Sequence, residues 1–425
     1  MSPRVAFAAP TDLTRPGALD ALRRAFDERE AEVQSFLPEP GRWERLATAA
    51  EQLAARWPDT ARRPPLFGLP VGVKDIFHVD GFATRAGSEL PPEELAGPQS
   101  EAVTRLLAAG AVVLGKTVTT EFAYFAPGPT RNPAAPGRTP GGSSSGSAAA
   151  VGAGLAPVAL GSQTIGSICR PAAYCGVVGF KPSFDRVPTS GVVPLAPSLD
   201  HVGWLAATVE LASRVAAVLC DEWRPVVAVK AKPRLAIPEG AYLERASHQG
   251  RRSFRVACAR LAAAGFEIVP VEAMPKFAQI DARHRLLVAA DAWRVHERWF
   301  ASYFDRYHEE TFKLLERGSE ALPELVELAR AGRGKLRAEL EALMGQRDID
   351  LWLTPAAPGP PPLGLESTGD PVMNLPWTYA GMAALALPAG RDADGLPHGV
   401  QLVARFGHDE ELLAWGAALA PALLP

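Results

Sequence analysis

Cysteine is scarce in this chain, with four among 425 residues at positions 169, 175, 220 and 258. That is too few to staple a domain of this size, and their spacing fits no zinc-ligand pattern. They read as reduced thiols, and no metal or other cofactor is implied. Excess charge is also absent: the net charge of −3 supplies no basic surface for nucleic acid. Long apolar runs are missing as well. The longest near the C-terminus, residues 412–424, is short of the ~20 residues that span a bilayer, and Pro421 interrupts it. The opening residues Met1 to Phe7, followed by Pro10 and Asp12, hold no secretory apolar core, so a cytoplasmic location without membrane contact is expected. Hydrophobic residues make up 47% and charged residues 21%, a balance that excludes intrinsic disorder and allows a large core.

What the chain does have is serine set among glycines. Gly141-Gly-Ser-Ser-Ser-Gly-Ser147 and Gly161-Ser-Gln-Thr-Ile-Gly-Ser167 lie close together in a stretch almost free of charge. Glycine permits strained turns and close backbone approach, and both clusters put hydroxyls beside such positions. Upstream, Lys74 sits in the apolar run Leu-Pro-Val-Gly-Val-Lys-Asp-Ile-Phe. Desolvation disfavours an ammonium, so a lysine in such surroundings can be neutral near pH 7. Serines and a base are the parts of an acyl-transfer site. Taken singly, Ser143 to Ser147 could be helix-capping serines and Lys74 a surface lysine. Their joint order and spacing favours the catalytic reading.

Two other motifs fail on physical grounds. Gly110-Ala-Val-Val-Leu-Gly-Lys-Thr117 satisfies a phosphate-loop pattern, yet its interior is a buried-strand candidate rather than an open loop. Gly142-Ser-Ser-Ser-Gly146 fits a nucleophile elbow, but Pro133 to Pro140 before it cannot form the central strand an elbow requires. Nothing around His398 or His408 marks either as the base such a triad would need.

Helical periodicity is expected across 17–56 and in 101–109, with short strands at 68–73, 111–114 and 157–160. The βαβ-like order implies one α/β body with a parallel or mixed sheet covered by helices. Residues 278–345 turn to long helices with Trp293, Trp299, Phe300, Phe304 and Tyr307, which either face substrate or cement the helices to the core. A stiff Pro-rich loop spans 354–362.

Several of these segments together resemble the amidase signature family. They are Gly68-Leu-Pro-Val-Gly-Val-Lys-Asp, Gly115-Lys-Thr-Val-Thr-Thr-Glu-Phe-Ala, Thr130-Arg-Asn-Pro, Gly179-Phe-Lys-Pro-Ser, Ser198-Leu-Asp-His-Val-Gly, Asn374-Leu-Pro-Trp-Thr-Tyr-Ala-Gly and Gly395-Leu-Pro-His-Gly-Val-Gln-Leu-Val. The resemblance implies a single α/β/α domain over residues 1–425 with a mixed, mostly parallel sheet. Within it, N-terminal helices occupy 1–60 and a variable, helical, substrate-facing region occupies 225–345. It implies an amidohydrolase with Ser167 as nucleophile, Ser143 as a cis-peptide serine relaying the proton, and Lys74 as base. The backbone amides of Thr164, Ile165, Gly166 and Ser167 would hold the oxyanion. Ser144 and Ser145 would be supporting donors and Ser162 structural.

The chain departs from the family pattern at Gln163, Ile165 and Cys169, with an arginine one place late at Arg170. The exchange removes a charged brace from the nucleophile turn, and a β-branched Ile165 would resist φ > 0. Tyr124, Phe125, Trp204, Asn374 and Trp377 are the candidate pocket residues, and their largely apolar character points to a small neutral or aromatic amide. Carbamate, urethane or ester cleavage uses the same chemistry. The expected partner is a small-molecule substrate without nucleic acid, with a homodimer open. The alternative is a partner-dependent, amidotransferase-type glutaminase subunit.

Overall fold

The computed structural model describes residues 11–226, 229 and 232–424. The first ten residues, on which the reading of the N-terminus rests, lie outside them. Ten strands form one sheet: β1 (Pro70–Lys74), β2 (Val112–Thr117), β3 (Val158–Gln163), β4 (Val178–Lys181), β5 (His201–Ala206), β6 (Leu235–Glu239), β7 (Ile268–Glu272), β8 (Leu351–Pro355), β9 (Ala384–Arg391) and β10 (Pro397–Val403). Their order is β2-β1-β3-β5-β4-β9-β10-β8-β6-β7. The expected single α/β domain with a mixed, helix-covered sheet is what forms.

Parallel pairing is confined to the flanks, where β1 joins β2 and β3, and β6 joins β7 and β8. The five pairings between those flanks are antiparallel, so parallel pairs are not the majority. The βαβ order was visible only around β1 and β2, whereas the turns that fold β4, β5, β9 and β10 against one another carry no comparable signal. Region 225–345 is not purely helical either. It contributes β6 and β7 as an edge of the sheet before the long helices Phe277–Tyr303, Glu309–Ser319 and Pro323–Gln346.

Both rejected motifs fold as argued. Gly110–Thr117 runs into the buried strand β2, and its Lys116 pairs with Asp75 at 2.8 Å inside the core. The segment before Gly142 holds turns and no strand, and Ser145–Gly152 is a helix of small residues pressed onto β1, β2 and β3.

That close packing needs glycine at 146. A Cβ there would lie 2.3 Å from the Ser35 carbonyl oxygen and 2.4 Å from the Val118 nitrogen, both backbone atoms that cannot swing aside. Gly146→Ala is therefore expected to lower unfolding free energy by about 1–3 kcal/mol or more in urea titration. Gly334, in the helix Pro323–Gln346, meets nothing within 4 Å, and Gly334→Ala should stabilise by up to about 1 kcal/mol. The same change at both sites would contradict this packing.

Candidate active site

Strands β1 and β3 run parallel, with Val73 opposite Leu160, so their C-terminal ends deliver Lys74 and Ser162 to one place. β5 pairs antiparallel with β3, Gln163 facing His201, which brings Asp200 to the same end. Functional groups gathered at the carboxyl ends of parallel strands are the usual arrangement in α/β sheets. Lys74 has no exposed surface. Its Nζ lies 2.7 Å from Ser143 Oγ and 2.8 Å from Ser162 Oγ. Burial pulls its pKa down to about 7, against the opposing charge of Asp200. A neutral amine keeps two N–H donors and frees a lone pair, so it can donate to Ser162 while accepting from Ser143.

The serine loop is held from several sides. The Gly142–Ser143 peptide is cis. Arg170, fully buried, donates through Nη2 to the Gly142 carbonyl at 2.7 Å and to Thr368 Oγ1 at 3.1 Å. Ser144 Oγ donates to the Ser162 carbonyl at 3.2 Å and accepts from the Ser162 N–H at 3.3 Å. Ser147 Oγ donates to the Leu160 carbonyl at 2.7 Å, and Ser145 Oγ reaches the Val118 carbonyl at 3.4 Å. These hydroxyls lock the loop to β3 and β2 and leave Ser143 to face the lysine.

Ser167 stands just ahead of the helix Cys169–Cys175 and is 7% exposed. The structure joins Lys74 to Ser143; among the described residues it shows no hydrogen bond between Ser143 and Ser167. The N–H groups of Thr164, Ile165, Gly166 and Ser167 donate to no described protein group, so all four expected donors are open to an oxyanion.

The expectation of an unbraced turn is corrected by the geometry. Gln163 Oε1 accepts the N–H of Ile168 at 2.8 Å and of Cys169 at 2.9 Å, and its Nε2 donates to Thr378 Oγ1. Thr378 Oγ1 in turn donates to the Ile165 carbonyl at 2.7 Å. A neutral amide thus supplies the brace. Ile165 is not among the residues with positive φ, so its β-branch meets no such demand. Thr164 donates to Asp200 Oδ1 at 2.5 Å, and its carbonyl lies 3.0 Å from His284 Nε2. Burial lowers the His284 pKa to about 3, so the ring is neutral there.

Two cavities flank this centre. One of about 440 Å³ is bounded by Ser162, Asp200, His201 and the loop 189–197. The other, of about 150 Å³, is bounded by Tyr124, Ile165, Leu314, Arg285 and Arg317. Of the expected pocket residues, Tyr124 lines the smaller cavity and Phe125 packs on Tyr124 with ring centroids 4.5 Å apart. Trp204 and Trp377 line neither. Both are fully buried, with indole N–H groups donating to the Ala212 carbonyl and to Tyr242 Oη, so they belong to the core. Asn374 stands behind the turn, where a Cβ on Gly166 would come 2.4 Å from its Oδ1. Sequence reasoning assigned Ser162 a structural place and did not find Asp200, His284, Arg285 or Arg317. Only the position of Ser162 in a strand next to Lys74 could have signalled its role. Among the described residues no group of three His, Cys, Asp or Glu side chains could hold a metal, and no helix is long and apolar enough to cross a membrane.

The Amidase family model matches residues 41–413, and the chain belongs to the amidase signature family. It is similar to a glutamyl-tRNA(Gln) amidotransferase subunit from Thermus thermophilus, at 35% identity over 84% of each chain. It also resembles a solved amidase, at 32% identity and TM-score 0.84 over 96% of this chain and 95% of that one. A third likeness is to a chain solved in a vestigial protein complex bearing on the origins of an s-triazine catabolic enzyme. That match has 29% identity and TM-score 0.83 over 94% and 93% of the two chains. These findings correct the expectation of an enzyme whose partners are a small-molecule substrate and at most a second copy of itself, since curated relatives at this similarity are subunits of an assembly named for a tRNA.

Gln163→Leu should leave the Ile168 and Cys169 N–H groups without their acceptor, costing about 1–3 kcal/mol for each buried donor. Urea unfolding is expected to show that loss, and unchanged stability would remove Gln163 as the brace.

Proposed function

We propose that the chain is the amide-cleaving subunit of a multi-chain enzyme, working through an acyl-enzyme on Ser167. The observation that carries the chemistry is the 2.7 Å contact between Ser143 and a lysine whose buried amine titrates at about 7. Ser167 attacks the amide carbonyl carbon while its hydroxyl proton passes to Ser143, and the Ser143 proton passes to Lys74. The oxyanion is met by the N–H groups of Thr164, Ile165, Gly166 and Ser167, with the Thr164 hydroxyl held by Asp200 and its carbonyl by His284. As the C–N bond breaks, the ammonium of Lys74 returns a proton through Ser143 to the leaving nitrogen. Water then attacks the ester carbonyl by the reverse relay, releasing the acid and regenerating Ser167. Esters and carbamates would enter by the same first step.

Membership of a larger assembly is supported by the relatives, which are named as subunits of a glutamyl-tRNA(Gln) amidotransferase. On that reading the liberated ammonia or the acyl group serves a reaction completed with partner chains. The four free thiols favour a cytoplasmic setting.

Ser167→Ala should abolish amide hydrolysis without loss of fold; retained turnover would remove Ser167 as nucleophile. Because the neutral amine is the active base, rate should rise with pH through about 7 and then level off. Lys74→Met should lose most activity together with that limb, and a limb unchanged in the variant would exclude Lys74. Purified from its own cells, the tagged chain is expected to carry stoichiometric partner chains. Recovery as a lone chain with full turnover would contradict the multi-chain reading.

A further inference from the structure

One buried carboxylate serves both the nucleophile turn and the lysine, although the relay itself gives it no step. Asp200 closes the loop 189–200 just before β5, and with Ser162 it bounds the cavity of about 440 Å³. Both of its oxygens accept hydrogen bonds. Oδ2 takes the N–H groups of Leu195 and Ala196 at 2.9 and 3.0 Å, and Oδ1 takes the Thr164 hydroxyl at 2.5 Å. Burial pushes the Asp200 pKa up, while these three donors and the Lys74 amine oppose that push. An ionised carboxylate, which only accepts, is the form this set of donors fits.

The position of Asp200 is set from outside the site. Ser198, two residues earlier, gives its N–H and its hydroxyl to Asp291 Oδ2 at 3.0 and 2.5 Å, on the helix Phe277–Tyr303. Asp291 Oδ1 pairs in turn with Arg330 at 3.3 Å, on the helix Pro323–Gln346. His284, earlier on the helix Phe277–Tyr303, lies 3.0 Å from the Thr164 carbonyl. Thr164 is thus gripped at its hydroxyl by Asp200 and at its carbonyl by His284, and both grips trace back to that helix.

The other charged groups around Lys74 are spent or neutral. Asp75, next in the chain, pairs with Lys116 of β2 at 2.8 Å. β3 and the helix Ser145–Gly152 carry no titratable side chain. Burial holds His201 of β5 well below its usual pKa and so neutral. Arg170, on the helix Cys169–Cys175, is engaged with the Gly142 carbonyl and Thr368. Asp200 remains as the charge that opposes desolvation of the lysine.

We infer that Asp200 is a positioning residue with two tasks: it pins Thr164, and with it the oxyanion turn, and it supplies the counter-charge for the ammonium that forms on Lys74 during the relay. This rests on the proposed proton path from Ser167 through Ser143 to Lys74. Without the carboxylate the ammonium loses its support, so the neutral amine persists to lower pH. It is then also a weaker base, and the rate at high pH falls.

The test is the rate at which a fluorophosphonate probe labels Ser167 in the full chain, followed across neutral pH. The wild type should give a limb that rises through about 7. In Asp200→Asn the midpoint should move to lower pH by about 1 unit and the plateau should fall about tenfold or more. Thr164→Val keeps the carboxylate and removes the tether, so it should lower the plateau and leave the midpoint in place. A carboxylate with only a structural role would lower the Asp200→Asn plateau without moving its midpoint. An unmoved or raised midpoint in Asp200→Asn, or a full plateau in Thr164→Val, therefore overturns the proposal. If Asp200→Asn does not fold, Asp200→Glu takes its place: the retained charge should hold the midpoint while the displaced carboxylate lowers the plateau, and the reverse pattern overturns the proposal. A wild-type limb that survives in Lys74→Met instead defeats the relay itself, and the proposal with it.

Discussion

The burial of one ammonium-bearing side chain sets the terms for everything around it. Lys74 ends a strand enclosed on both faces and flanked by β2 and β3, so its side chain has no exposed surface. The cost of desolvating a cation exceeds the help that Asp200 gives it, and the balance is an amine close to half-protonated at neutral pH. Such a group is a competent base for a hydroxyl only if a hydroxyl is held against it. That requirement explains the density of hydrogen bonds on the serine loop, where Ser144, Ser147 and Arg170 fix the backbone and leave Ser143 directed at Lys74.

The nucleophile turn is stabilised by a different principle. Gln163, Thr378 and Asn374 form a neutral network behind it, reaching β10 through the contact of Asn374 Nδ2 with Gln401 Oε1. Neutral amides hold backbone groups in place without introducing a charge that would perturb the lysine nearby. The long helices of the 225–345 region close the other side, with His284 touching the turn and Arg285 and Arg317 entering the adjoining cavity. The core framework thus carries Lys74 and the serine loop, and the helical region supplies Arg285, Leu286, Leu314 and Arg317 to the wall of the adjoining cavity.

How much of this could be read from the sequence follows from how local each signal is. Lys74, Ser143 and Ser167 each sit in a short contiguous motif that resembles the family's, which marks them as candidates, and the structure joins Lys74 to Ser143. Asp200, at the start of β5, lies inside the family-like segment Ser198-Leu-Asp-His-Val-Gly, which by itself assigns it no role, while His284 reaches the site from a helix more than a hundred residues beyond Ser167 with no local signal. Trp204 and Trp377 were drawn into the pocket because they lie beside family-like segments, yet each turns into the core, where an indole is better buried. Gln163 looked like the loss of a charge because the sequence cannot show that its amide reaches two backbone donors. The edge strands β6 and β7 were missed inside a region whose composition is dominated by the helices that follow.

On the proposed mechanism this buried lysine and the serine loop activate Ser167. The most direct measurement is intact-protein mass spectrometry after exposure to a fluorophosphonate serine probe, run on the wild type and on Ser167→Ala. A single adduct on the wild type that vanishes in the variant is the predicted result. An adduct that persists on Ser167→Ala, or a folded wild type that takes none, would contradict the account.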